Sequence, residues 1–203
     1  DLWTPMGNPA RCFRKTADAF PGAPHFAADA ERVSAFTDQL AGFGPGLKIG
    51  LLWKSLRMTA KRAKSFSAFE GWAPVLQTPG AVFVNLQYGD VDEELDAARK
   101  RFGIEIHQPE GLDLKDDLDG VAALCRACDI VMGPMNATTN LAASVGAETW
   151  IVHARPRTWT MLGTGSLPWY PTARSYRGDG YRDFDTAMAR IAADLADQVK
   201  AAA

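Results

Sequence analysis

Two stretches of the sequence hold residues suited to gripping an anion. In "LKIGLLWKSLRMTAKRAKSF" (47–66) an apolar run breaks into Lys54, Arg57, Lys61, Arg62 and Lys64, and no Asp or Glu occurs between Asp38 and Glu70. In "GPMNATTN" (133–140) a Gly-Pro turn precedes Asn136, Thr138, Thr139 and Asn140, where a helix should begin. Lysine supplies a point charge and arginine a planar, two-pronged donor. A helix N-terminus adds backbone N–H groups and the positive end of the dipole. A phosphate or diphosphate ester needs both kinds of group together. Alone, each stretch has a plainer reading, as a solvated basic loop and an ordinary N-cap. Their meaning depends on whether the fold brings them to one place.

Composition makes any such site local. The 203 residues are 47% hydrophobic and 23% charged with a net charge of −2, an ordinary globular balance. That charge gives no reason for nonspecific attraction to nucleic acid or anionic membrane. No apolar window reaches the roughly 18 residues of a membrane span, and no signal-peptide pattern opens the chain. The start at Asp1 suggests a piece of a longer protein. Three cysteines, Cys12, Cys125 and Cys128, make no disulfide framework, which points to a reducing cytoplasm. "CRAC" has C-x-x-C spacing, but Val121, Leu124, Cys125 and Cys128 follow the period of a helix face, so both thiols read as small core residues.

Alternating apolar runs and helical patterns order the rest. Strands are expected at 47–53, 81–87, 103–108, 129–134, 148–154 and 173–177. Helices are expected at 27–41, 67–77, 92–102, 116–128, 137–146 and 183–203, the second opened by a capping box of Ser67 and Glu70. Continuously apolar strands separated by helices predict an α/β fold, a Rossmann-like doubly wound parallel sheet. Residues 1–26 have no clear period and read as an irregular segment left from a neighbouring domain. Residues 27–203 read as one domain with a lead-in helix at 27–41. Ligands of such sheets lie beyond the carboxyl ends of the strands. Those ends are Trp53-Lys54, Gln87-Tyr88, His107-Gln108, Pro134-Met135 and His153-Ala154, so both anion-binding stretches fall on this edge.

The motifs that would mark other chemistries are absent: no P-loop, no dinucleotide fingerprint after the first strand, no G-x-S-x-G and no metal-ligand spacing. No cofactor or metal is therefore expected.

The combination of "GLKIGLLWKS", "KSFSAFEGWAPVL", "VFVNLQYG", "DLDGVAALCRACDIVMGPMNATTNLAASVGAETWIV" and "SLPWYPTARSYR" resembles one group of enzymes. It is similar to the C-terminal half of bacterial glycosyltransferases that carry tetratricopeptide repeats. Those enzymes are related to the ADP-heptose:lipopolysaccharide heptosyltransferases, and some are flagellar or flagellin-modification proteins. The resemblance implies a GT-B architecture, with this half holding the nucleotide-sugar donor. It implies that Lys54, Arg57, Lys61, Arg62 and Lys64, with Asn136, Thr138, Thr139 and Asn140, hold the diphosphate, an electrostatic role needing no metal. Gln87, His107 and the stretch from Asp113 to Asp117 would line the nucleoside side, although His107 and His153 also suit plain packing. The acceptor would be a protein or glycan, flagellin among the candidates.

The family pattern of an acidic residue, then Ser or Thr, then a His one turn on falls here on Met135, Asn136 and Asn140. Amides and hydroxyls can bond a phosphate but cannot supply the same charge or proton chemistry. Two readings follow: the donor-binding half of a glycosyltransferase, inactive without the rest of the enzyme, or a non-catalytic scaffold in flagellar assembly or regulation.

Overall fold

The computed structural model describes residues 3–5, 8–56, 58–155 and 159–202. Six strands form one parallel sheet: β1 (Leu47–Leu51), β2 (Ala81–Asn85), β3 (Ile106–His107), β4 (Ile130–Pro134), β5 (Thr149–His153) and β6 (Ala173–Arg177). Their order is β3-β2-β1-β4-β5-β6. The chain winds outward from β1 through β2 to β3, returns to β4 on the other side of β1, and continues to β5 and β6. The winding reverses between β1 and β4, and such a reversal opens a crevice at the carboxyl edge.

Alternation along the strands supplies two cores. One face of the sheet presents Ile49, Leu51, Trp53, Phe83, Met132, Trp150 and Val152. Against it lie α4 (Ala73–Leu76), α5 (Asp92–Ala97) and α8 (Phe184–Ala202), through Val75, Leu76, Leu95, Met188, Ile191 and Leu195. The other face presents Leu52, Val84, Leu86 and Val131 to α2 (Ala30–Ala41), α6 (Leu118–Ala127) and α7 (Ala137–Ser144). Cys125 and Cys128 sit in this second core, where burial pushes the Cys125 thiol up to about 12 and raises that of Cys128 as well. They are the small hydrophobes that the helical spacing implies.

Local structure departs from the expected elements at three places. The capping box of Ser67 and Glu70 does not form. The segment begins as a 3-10 turn, Phe69–Trp72, with no side-chain cap on Ala68, and the α-helix starts only at Ala73. Pro74 explains the late start, because proline lacks an N–H and is tolerated only in the first turn. Glu70 instead pairs with Arg101 at 2.9 Å. The helix after β2 ends in a π-turn, Ala98–Phe102. Inside the basic stretch a four-residue helix, α3 (Ala60–Ala63), is capped by Thr59, whose side chain accepts from the Arg62 N–H.

The N-terminal segment contains a short helix, α1 (Asn8–Phe13), and a 3-10 turn, Ala17–Ala19. Beyond these it docks on the domain. Phe20 packs edge-on against Trp169 with ring centroids 4.7 Å apart. The N–H groups of His25 and Phe26 donate to the Ser144 carbonyl at 2.8 and 3.0 Å. His25 Nε2 lies 2.8 Å from the Trp169 carbonyl oxygen. Gly146 ends α7 at φ +79°, and Pro24 occupies the space that a Cβ there would need. Trp169 and Tyr170 of "LPWYP" therefore anchor this segment.

The approach of β1 to β4 also restricts side-chain size. A Cβ at Gly133 would lie 2.5 Å from Leu52 Cγ and 2.9 Å from its carbonyl oxygen. Gly133→Ala should therefore destabilise the protein by about 1–3 kcal/mol through overpacking, read as a lower midpoint in urea at unchanged slope.

Candidate functional site

The carboxyl ends of the central strands are tied together by side-chain amides. Gln87, buried to 1% exposure, accepts with Oε1 from the backbone N–H groups of Trp53 and Lys54 at 3.1 and 2.9 Å. Its Nε2 donates to the Tyr88 carbonyl, and its own N–H donates to Asn85 Oδ1. Asn85 Nδ2 donates to Gln108 Oε1. The relay fixes where the chain leaves β1, β2 and β3. Gln87, expected on the nucleoside side, has its amide engaged in this framework.

The basic stretch starts from that anchor. Lys54 turns back to Glu94 at 2.5 Å and to the Asp90 carbonyl at 2.7 Å, so its charge is already neutralised. Arg62 reaches Ser55 Oγ at 3.0 Å, which holds its guanidinium group near the exit of β1. Lys61, Arg62 and Lys64 are exposed and have no carboxylate partner among the described residues. Arg57 lies outside the described residues.

Across the crevice, α7 begins with a reciprocal cap. Asn136 Oδ1 accepts from the Thr139 N–H while Thr139 Oγ1 accepts from the Asn136 N–H. Thr139 Oγ1 also donates to the Pro134 carbonyl, so Asn136 and Thr139 both spend their side chains on the turn. The first N–H groups of a helix have no intrahelical partner. Those of Ala137 and Thr138 are engaged by no other described residue. Asn140 is half-buried one turn on, its side chain in no described hydrogen bond.

Two pockets flank this helix start. The larger, ≈ 420 Å³, is lined by Leu56, Tyr88, Leu114, Lys115, Leu118, Val121, Ala137, Thr138 and Leu141. Its walls are mostly apolar, and Lys115 is the one formally charged side chain in its lining. Leu56 and Leu118 keep 51% and 61% of their surface exposed, which a buried strand end or an ordinary helix would not require. The smaller, ≈ 190 Å³, is lined by Ser65, Phe66, Met135, Val152, His153, Ala154 and Arg155. The basic stretch thus runs from the larger pocket at Leu56 to the smaller at Ser65. The β4–α7 turn runs between the same two, from Met135 to Ala137.

The remaining nucleoside-side candidates are occupied elsewhere. His107 stacks on Phe43 with centroids 4.4 Å apart and planes at 10°. Asp113 accepts from the N–H groups of Lys115 and Asp116, which holds its carboxyl below the usual range. Asp117 caps α6 through the Gly120 N–H and pairs with both terminal nitrogens, Nη1 and Nη2, of Arg32 on α2, and this pairing likewise lowers its pKa. Between these two aspartates, Leu114 and Lys115 reach the larger pocket. The spacing of charged residues did not single out Leu56, Tyr88, Phe66 or Leu118.

The architecture is a Rossmann-like parallel sheet of the kind found in solved glycosyltransferase structures. The chain matches a glycosyl transferase family 9 structure from Veillonella parvula with TM-score 0.60 and 12% identity, over 88% of this chain and 54% of that one. It matches Escherichia coli ADP-heptose lps heptosyltransferase II with TM-score 0.59 and 19% identity, over 93% of this chain and 59% of that one. At these identities the likeness is one of fold. In sequence it is 49% identical over 198 residues to Protein FlbA of Caulobacter vibrioides, covering 97% of this chain and 33% of that protein. The chain therefore spans about a third of the length of this curated relative. No family model matches. Among the described residues, no helix is long and apolar enough to cross a membrane.

Gln87→Leu should cost about 1–3 kcal/mol, because it leaves the Trp53 and Lys54 N–H groups without an acceptor, and denaturation with urea would measure it. A second outcome concerns His153, which burial and nearby Arg177 depress from 6.5 to about 4. The unfolded chain takes up this proton first, so the stabilising contribution is full above pH 6.5 and declines as pH falls toward 4. Between about pH 7.5 and 5 the loss should be about 2 kcal/mol, and His153→Leu should remove that portion of the pH dependence.

Proposed function

We propose that residues 27–203 form the domain that binds the nucleoside diphosphate of a sugar donor, in a longer metal-independent glycosyltransferase. One observation carries this reading: two segments, one cationic and one a helix start whose first two N–H groups meet no other described residue, run between the same pair of pockets. The larger pocket suits a nucleoside, with apolar walls, the Tyr88 ring and no carboxylate in its lining. The diphosphate would cross the first turn of α7, opposite Lys61, Arg62 and Lys64. There the unengaged N–H groups and the cations would stabilise charge growing on the leaving diphosphate.

The fold shared with two glycosyltransferases supports the class. The sequence resemblance extends it to an acceptor that is a protein or glycan, flagellin included, selected by tetratricopeptide repeats elsewhere in the chain. A base for the acceptor would come from the facing domain of the GT-B pair, so this domain alone would bind without turning over. A cytoplasmic setting follows for an enzyme using nucleotide-sugars.

A scaffold reading is favoured by specific residues. Met135 and Asn140 stand where the resembled enzymes carry an acid and a histidine, and Glu94 already neutralises Lys54. Binding separates the two readings. UDP, GDP, ADP and CMP are titrated in a thermal-shift assay. At about 100-fold excess over Kd the matching nucleotide should add about 2.7 kcal/mol of stability. Lys61→Glu combined with Arg62→Glu should abolish that shift and leave the melting temperature of the free protein unchanged or higher, since like charges are separated. No shift with any nucleotide favours the scaffold, and full affinity in the double variant means that the basic loop is not the diphosphate cradle.

A further inference from the structure

We infer that α2, the lead-in helix, is the frame for one wall of the larger pocket, and that Arg32 and Asp117 are positioning residues for the nucleoside rather than contacts to it. This inference rests on the donor reading and deepens it, by assigning what sets the affinity for the nucleoside.

The wall needs a frame because its own backbone supplies little. Between the end of β3 at His107 and the start of α6 at Leu118 the chain forms neither strand nor helix. This stretch and the first turn of α6 give the pocket Leu114, Lys115, Leu118 and Val121. Its internal order is local. Asp113 accepts from the N–H groups of Lys115 and Asp116, and the Asp117 N–H donates to the Asp113 carbonyl at 3.1 Å. Such a turn keeps its own shape without fixing where it sits. Leu112 and Leu114, half-buried against the second core, set its depth.

Three contacts from α2 fix the rest, and they run antiparallel to the stretch. Phe43, just beyond the helix, stacks on His107. Gln39 brackets the Glu110 backbone, accepting from its N–H at 3.1 Å and donating to its carbonyl at 3.4 Å. Arg32, about two turns before Gln39 and so on the same helix face, grips both carboxylate oxygens of Asp117. A planar guanidinium group on a carboxylate fixes direction as well as distance. Gly120 makes room for it, since a Cβ there would collide with Arg32 Nη2 and Asp117 Oδ2. Because Asp117 also caps α6 through the Gly120 N–H, one joint holds the turn and the helix start together. Leu118, the next residue, lines the pocket. His107 and Asp117, whose types suggested contact with a nucleoside, thus serve it by holding the wall in place.

The test uses the whole 203-residue chain. Titration calorimetry with UDP, GDP, ADP and CMP identifies the base that binds, and inorganic pyrophosphate probes the cations and the start of α7 alone. Arg32→Ala should weaken the bound nucleotide about fivefold and leave pyrophosphate within about twofold of its original affinity. Asp117→Asn, which keeps an N-cap oxygen and loses the charge, should do the same. The double variant should lose about fivefold in all, not about 25-fold, because both changes break one joint. Arg32→Lys, limited to a point contact, should fall between Arg32→Ala and the unaltered chain. Hydrogen exchange reads the wall without ligand: the amides of Lys115, Asp116 and Asp117 should exchange about tenfold faster in Arg32→Ala, with those of α7 unchanged. Nucleotide affinity within about twofold of the original in both single variants overturns the inference alone, as does unchanged exchange at those amides or a loss shared equally by pyrophosphate. Absence of binding by every nucleotide in the unaltered chain overturns the donor reading and the inference with it.

Discussion

The loops of the site leave the sheet at the carboxyl ends of β1 and β2, and one buried amide, Gln87, holds both ends at once. Its Oε1 takes the last N–H groups of the β1 run, from Trp53 and Lys54, and its Nε2 closes on the Tyr88 carbonyl. These backbone groups lie past the ladder, where buried N–H groups would otherwise go unmet. Because the amide is inaccessible to water, its bonds have no cheap replacement, and the exit directions of two loops become fixed. The basic stretch and Tyr88 inherit their positions from this junction.

Charge is divided along the basic stretch. Lys54, closest to the sheet and half-buried, is neutralised by Glu94. Burying an unpaired ammonium at that point would be costly, and the ion pair removes the cost. Further out, Lys61, Arg62 and Lys64 are exposed, so their charges remain solvated and tolerable without an acid. Thr59 and Ser55 organise this outer part by capping α3 and holding the Arg62 side chain. One sequence run thus contains a structural cation and a cluster available to an anion, separated by their depth in the fold.

The N-terminal segment is held away from the larger pocket, on the C-terminal end of α7 and on "LPWYP". Phe20 and Trp169 form an aromatic pair there, and the Ser144 carbonyl accepts from two N–H groups of the segment. The same helix therefore has two uses, its start facing the crevice and its end anchoring the chain that enters the domain.

Much of this was legible in the sequence for a physical reason. Apolar continuity, helical period and turn chemistry are local properties, so the parallel sheet, its strand ends and the helix start at Asn136 could be read from neighbouring residues. Cys125 and Cys128 declared themselves core residues by the same periodicity. The partners of charged and polar groups could not be read this way. Lys54 finds Glu94, Asp117 finds Arg32, His107 finds Phe43 and Gln87 finds two backbone N–H groups, each across a long stretch of chain. Residue type shows that such a group needs a partner, and only the tertiary structure decides whether the partner is the protein itself or is left for a ligand. The pockets follow the same rule, because their walls are drawn from loops that become neighbours only when β1 and β4 pair.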